Sequence, residues 1–296
     1  NNFILTENKG LELSWIKNSI ITCNNITAYG GTVLKLYYSD GGLVTNNLIS
    51  GGKSRNNGDY GIYLYSSSEN TILNNVISMC KWDGVNICNA NNNTISSNTI
   101  TQCYNGILLH FCKHNIISNN KLLKNSFAGL SLSDYSDRNV LVNNSVSYNK
   151  YGIYIMNSWY NVIFHNNFIN NTQQVTSTDS QNTWDGGYPS GGNYWSDYTG
   201  VDLYSGPFQN GAGCDGIGDT LYVIDENNQD NYPLMKPYPD TTPPMIVVLS
   251  PENKAYPTTS IPLVFTVDEY TSWIGYSIDG EPNITITGNT TLTLSE

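Results

Sequence analysis

Two sequence markers recur along residues 1–171 with one shared step, and a chain with that property must stack its repeats on one another. The second Asn of an Asn-Asn or Ser-Asn pair stands at Asn2, Asn25, Asn47, Asn75, Asn98, Asn120, Asn144 and Asn167, at intervals of 23, 22, 28, 23, 22, 24 and 23 residues. Gly61, Gly84, Gly106, Gly129 and Gly152 keep the same step, with Gly10 in phase upstream. Self-similarity at a fixed period of this size marks a solenoid or array, in which each repeat buries its apolar face only against its neighbours.

After each Gly the pattern is apolar, variable, apolar, as in Ile62/Leu64, Val85/Ile87, Ile107/Leu109, Leu130/Leu132 and Ile153/Ile155. Strands with one face inside read this way. A second aliphatic column lies two residues past the marker Asn (Ile4, Thr27, Ile49, Ile77, Ile100, Leu122, Val146, Ile169), and a third lies three residues before it (Ile72, Ile95, Ile117, Leu141). Three short inward-facing strands per coil and no helical period predict an all-β chain, a right-handed parallel β-helix of about seven to eight coils. Gly and then Asn are expected at turn positions with positive φ, and Asn in successive coils is expected to bond amide to amide along the axis. The 28-residue interval places an extra loop at 51–59, carrying Lys53, Arg55 and Asp59.

Acidic residues number 24 against 13 Lys and Arg, for a formal charge of -11. With no basic run, the chain offers no face for a nucleic-acid backbone. Six Cys form no CxxC and have no His at metal-ligand spacing, which argues against zinc. Cys80 and Cys103 lie at one position of neighbouring coils, either as a disulfide or as two small buried thiols. Sequons at Asn25, Asn92, Asn143, Asn170, Asn283 and Asn289 are candidate glycosylation sites. No segment has the ~20 apolar residues of a membrane span. The chain begins and stops in mid-pattern, which reads as a piece of a longer precursor whose signal and anchor segments lie outside it.

Past Asn171 the repeat fades, and residues 172–239 are rich in Gly, Asp and aromatics. An open β-helix end must be covered, so this segment is read as a cap, with Trp184, Tyr194, Trp195 and Tyr198 as its aromatics; a sugar-stacking platform is the other reading of the same rings. Asp215, Asp219, Asp225 and Asp230 form a Gly-interrupted run suited to a structural calcium ion. No cofactor beyond such an ion is expected. Residues 240–244 (DTTPP) read as a stiff linker, and 245–296 as an incomplete Ig-like β-sandwich.

The coils with N-x-I and G-I-x-L, followed by GGNYWSDYTG (191–200) and DGIGDTLYVI…DNYPLM (215–235), resemble NosD-like, carbohydrate-associated β-helix proteins of archaeal, methanogen-type cell surfaces. The tail from 243 to 280 looks like the Ig-like modules attached to them. This resemblance implies an extracellular, glycosylated surface protein. It also implies periplasmic copper delivery, from which this sequence departs: Met79, Met156, Met235, Met245, His110, His114 and His165 form no soft-ligand cluster in sequence.

Parallel β-helices also house polysaccharide lyases, hydrolases and epimerases, which need converging carboxylates or a base beside a charge-neutralising group. His114 and Asp137 occupy the same position counted from their coil glycines, with Arg138 adjacent, and form the best catalytic candidate. The outward column between the paired aliphatics (Glu12, Lys35, Tyr63, Asn86, Leu108, Ser131, Tyr154) shows no charge convergence. The expectation from sequence is therefore a structural or adhesive cell-surface protein that is not an enzyme. It would self-associate into an oligomer or filament through β-helix ends or faces, or by strand exchange of the Ig-like module. The alternative is a polysaccharide-binding or polysaccharide-cleaving module, whose partner would be a cell-surface polysaccharide.

Overall fold

The alternation of apolar and polar residues resolves into three parallel sheets wound about one core. A computed structural model describes residues 2–51, 60–241, 243–267, 271 and 273–293. The first sheet has nine strands, from Phe3–Thr6 to Tyr194–Trp195; the second has eight, from Leu11–Ser14 to Gln173–Thr178; the third has seven, from Ile20–Thr22 to Val162–Phe164. Together they make a right-handed parallel β-solenoid of about 8 turns, as the repeat predicts, with no helix among the described residues. None is therefore long and apolar enough to cross a membrane.

Inside, the columns stack in register. The first sheet lines up Ile4, Ile26, Ile49, Ile77, Ile100, Leu122, Val146 and Phe168. In two coils the inward residue is thus Ile26 or Phe168, one residue before the expected Thr27 and Ile169, because the stacking Asn there is the first of its pair. Most of this column is fully buried, and each such aliphatic contributes about 1.5–3 kcal/mol on burial.

Asn side chains form the axial ladders. Asn24, Asn47, Asn75, Asn98, Asn120, Asn144, Asn166 and Asn193 link in series, each Oδ1 accepting from the backbone N–H of the preceding member. A second ladder runs through Asn70, Asn93, Asn115, Asn139, Asn161 and Asn182. Asn120 alone accepts from the Asn98 backbone at 2.9 Å and the Asn98 amide at 3.0 Å, and donates to Ile95 O at 2.8 Å, Ser118 O at 3.0 Å and Asn144 Oδ1 at 3.0 Å.

The coil glycines serve close approach and not positive φ. A Cβ on Gly106 would lie 2.5 Å from the carbonyl oxygen of Gly129 in the next coil. Positive φ falls instead on residues such as Asn74 (56°), Ser97 (55°), Asn119 (56°) and Asn143 (59°), just ahead of the ladder asparagines. The 52–59 loop, with Lys53, Arg55 and Asp59, lies outside the described residues. No disulfide joins the six cysteines; the buried thiols of Cys80 and Cys103 donate to the carbonyls of Ser78 and Thr101.

The ladder of strands continues beyond residue 171, through Gln173–Thr178 and Tyr194–Trp195, and then closes. Phe168 stacks on Trp195 at 4.6 Å and Trp195 on Tyr222 at 4.3 Å, while Trp184 and Trp195 are fully buried. The hairpin of Tyr222–Asp225 and Asn228–Asp230 ends these two long Asn ladders: Asn228 Oδ1 accepts from Asn182 N at 2.9 Å and Asp230 Oδ2 from Asn193 N at 2.7 Å. Beyond the cap, Ile246–Ser250, Ser260–Val267 and Thr290–Thr293 form an antiparallel sheet over Ile261, Leu263 and Leu292, beside the Gly275–Tyr276 and Ile284–Thr285 pair. These short sheets are compatible with part of a sandwich.

Two consequences are measurable. Asn120→Ala strands buried donors and acceptors in both neighbouring coils and lowers the unfolding free energy by about 2–4 kcal/mol, whereas Asn8→Ala on the exposed turn changes it by less than about 0.5 kcal/mol. Asp230 also accepts from Trp195 Nε1 and Tyr232 N, yet burial outweighs these donors and pushes its carboxyl from 3.8 up to about 7. Between those values the folded chain holds a proton that the unfolded chain has lost, so stability falls as pH rises. Urea titrations should show wild type losing a few kcal/mol from about pH 4 to about pH 7 relative to Asp230→Asn.

Candidate functional site

Alternation along the second sheet puts Ile87, Leu109 and Leu132 inside and sends their neighbours to one outer face. There the register stacks Tyr65, Cys88, His110, Ser133 and Met156 in one column and Tyr63, Asn86, Leu108 and Ser131 in the next. Aromatics flank the face on both sides. Trp82, Tyr104 and Phe127 occupy the turns before the strands and Tyr151 opens the next strand, with ring centroids 4.9 to 5.7 Å apart. Phe111, Tyr135 and Trp159 occupy those after them.

Three polar clusters lie along this face. Near the first coils, Lys35 Nζ sits 2.9 Å from Glu12 and 4.8 Å from the Tyr37 ring centroid, in a cavity of about 120 Å³ walled by Lys9, Thr32, Tyr60 and Tyr63. The Lys35 ammonium holds the Glu12 carboxyl below the usual range.

The second cluster centres on Asp83, immediately before Gly84 and only 3% exposed. Asn86 Nδ2 donates to its Oδ2 at 2.7 Å and Asn105 Nδ2 to its Oδ1 at 2.8 Å. Burial raises its pKa in spite of these donors, and burial together with the nearby Asp83 charge raises the Tyr60 phenol. Asn105 Oδ1, also buried, has no partner among the described residues.

The third is a pair between coils: His110 Nδ1 lies 3.1 Å from Asp134 Oδ2 and 3.1 Å from Ser133 Oγ, with both ionisable groups about one-third exposed. Cys88 is the ladder partner of His110 on the preceding strand. The Tyr63 phenol interacts with the Cys88 thiol, and burial raises both groups.

The expected His114, Asp137 and Arg138 constellation does not assemble this way. His110 pairs with Ser133, an offset of 23, but Cys112 bonds Ser136, an offset of 24. One residue is therefore inserted after Ser133. The shift sets Lys113 against Asp137 at 3.2 Å, while Asp137 Oδ1 accepts from Trp159 N at 2.9 Å. His114 and Arg138 both hold positive φ, at 57°. The same insertion swings Asp134 beside His110. Counting from glycines misses the pair, whereas counting from the Asn115–Asn139 ladder bond finds the extra residue.

The four aspartates expected to hold calcium are spent as acceptors for the cap's own donors. Asp215 takes Gly206 N and Ile217 N, Asp219 takes Leu203 N and Tyr204 N, Asp225 takes Asn227 N, and Asp230 ends the Asn ladder. No group of three or more His, Cys, Asp or Glu among the described residues could hold a metal ion. Trp184 and Trp195 are core residues, and Tyr194 and Tyr198 are half-buried. Of the sequon residues, Asn92, Asn170, Asn283 and Asn289 are exposed, while Asn25 and Asn143 are half-buried.

Replacing Asp83 with Ala leaves the Asn86 and Asn105 amides without their acceptor. Chemical denaturation is expected to show a loss of about 1–3 kcal/mol, and Asp83→Asn less than Asp83→Ala.

Among solved structures, the chain is similar to the periplasmic alginate epimerase AlgG, with 17% identity and a TM-score of 0.52 over 59% of this chain and 47% of that one. It is also similar to DFA-IIIase from Arthrobacter chlorophenolicus A6 without its lid, with 15% identity and a TM-score of 0.49 over 70% of this chain and 52% of that one. The chain thus spans about half the length of the structures it matches. No curated protein matches it.

The expectation that the chain is not an enzyme is overturned by the fold it shares with AlgG. An architecture shared with an epimerase gives no ground for excluding catalysis, and the outward column judged by itself omitted the groups beside it: Asp83, Cys88, His110 and Asp134. The family described below carries copper in its name, and the residues here do not fit that ion. His110 is engaged by Asp134 and Ser133, His165 Nε2 by Ser190 O at 2.6 Å, and Met156 stands two strands from His110. Residues 1–200 match the family described as periplasmic copper-binding protein (NosD), and with two-thirds of its length so matched the chain belongs to that family.

Proposed function

We propose that this protein binds a polysaccharide along the outer face of its second sheet and modifies it there, in a non-cytoplasmic compartment. The observation that carries the reading is the gathering of the buried Asp83, the His110–Asp134 pair, Cys88 and Tyr63 on one face between two aromatic rims. Groups that bear chemistry are costly to hold on a β-face that needs only neutral polar residues for solubility, and their concentration at one place marks a site. The rims add apolar rings to which sugar faces can stack: Trp82 is 42% exposed and Tyr135 57%.

Two comparisons support the setting. The family is described as periplasmic, and the structural neighbour AlgG is a periplasmic enzyme acting on alginate. The sheath or filament expectation has no comparable cluster behind it.

Retention on immobilised neutral, uronic and sulfated polysaccharides tests the reading. At least one class should be held, and the double variant Trp82→Ala/Tyr135→Ala should weaken it roughly tenfold, at about 1 kcal/mol or less per lost ring. Failure to retain any class, or retention indifferent to the double variant, would refute it.

A further inference from the structure

We propose that Cys88, His110 and Asp134 form a nucleophilic site that removes ester-linked acyl groups from the carbohydrate held on the outer face of the second sheet. This rests on the reading of that face as a carbohydrate site.

The three residues lie on successive coils. Cys88 and His110 are ladder partners on neighbouring strands, which places their Cα atoms about 4.8 Å apart. Both alternate with buried neighbours, Ile87 and Leu109, so both leave the sheet on its outer side. His110 uses Nδ1 toward Asp134 Oδ2, at 3.1 Å. That bond sets the tautomer: Nδ1–H donates to the carboxylate, and Nε2 carries the lone pair that can take a proton. Nucleophile, base and orienting carboxylate then stand in the order that acyl transfer requires. Tyr63, which interacts with the thiol from the preceding coil, offers an O–H to the oxyanion.

Burial raises the Cys88 thiol and keeps it protonated at rest. The residue therefore needs a base within reach as it attacks, and a free surface thiolate is not the active form. In the reaction His110 Nε2 takes the thiol proton as sulfur adds to the acyl carbonyl carbon. The C–O bond to the sugar breaks, and the sugar oxygen leaves with the proton from His110. Water then adds to the thioester with His110 as base, the C–S bond breaks, and the thiol regains its proton as the free acid departs.

The face favours an ester over a glycosidic bond. Glycoside cleavage calls for two free carboxyl groups facing each other across the bond, but both oxygens of Asp83 are held by Asn amides and Asp134 is committed to His110. A glycosidic acetal also presents no carbonyl carbon to a thiol.

The test uses the full chain with two probes, p-nitrophenyl acetate and O-acetylated xylan, together with iodoacetamide labelling mapped to each cysteine by mass spectrometry. Wild type should release acetate from both probes and accumulate a thioester on Cys88. Cys88→Ala and Cys88→Ser should lose at least about a hundredfold in release. His110→Ala should slow alkylation of Cys88 at pH 7 by about tenfold or more and flatten its pH profile, and Asp134→Asn should slow it less. Circular dichroism of each variant separates loss of chemistry from loss of fold. Acetate release that survives Cys88→Ala, or Cys88 alkylation unchanged by His110→Ala, would overturn the proposal. A wild-type chain that retains polysaccharide but releases no acetate overturns it alone, leaving the binding reading intact. One that cleaves p-nitrophenyl acetate through Cys88 but holds no polysaccharide supports the thiol site and overturns its assignment to carbohydrate.

Discussion

The hydrogen bond from one coil's backbone N–H to the next coil's Asn Oδ1 is the interaction on which this fold depends. A parallel solenoid turns sharply between strands, and each turn exposes backbone groups that cannot reach a sheet partner. Stacked Asn side chains meet that demand inside the core, where water does not compete and an unmade bond is expensive. Because every Asn serves the coils on both sides, the ladder is continuous, and it needs a terminus. Asn228 and Asp230 provide one for each of the two long ladders. The cap is therefore part of the same hydrogen-bonded system as the coils, and its aspartates are explained as acceptors before any metal is considered.

Rigid stacking has a second effect. Side chains that leave the second sheet on its outer face are held one strand spacing from partners distant in sequence, 22 residues for Cys88 to His110 and 23 for His110 to Ser133. A single inserted residue after Ser133 alters which side chains meet without disturbing the core, since the turn absorbs it and the third sheet resumes in register at Ile116 and Val140. His110–Asp134 arises that way. Function on such a scaffold can be set by turn-length changes as well as by substitutions.

The core and the ladders were legible because a two-residue alternation and a 22- to 24-residue step are both periodic signals. Ile72, Ile95, Ile117 and Leu141 could be assigned to one inward column from spacing, and the structure buries all four fully. The limits appear where the period slips. Thr27 and Ile169 were assigned inward one residue too late, because an Asn-Asn pair does not reveal which member stacks. The glycines were legible as markers but not in their role, since close approach to the next coil is a contact between residues distant in sequence. Asp83 was visible as one acid among several, and nothing local showed that two Asn amides, one of them from the following coil, enclose it.

The sequence by itself determined the solenoid, its three inward columns and its Asn ladders, because repetition states the same local rule in every coil. Which outward side chains meet was decided only by the tertiary structure. In a β-face a shift of one residue sends a side chain to the other surface or to a different partner, and turn lengths accumulate such shifts between one coil and the next. The insertion that brings Asp134 to His110 is one such shift, and so the face with Asp83, Cys88, His110 and Asp134 appears only when the coils are laid on one another.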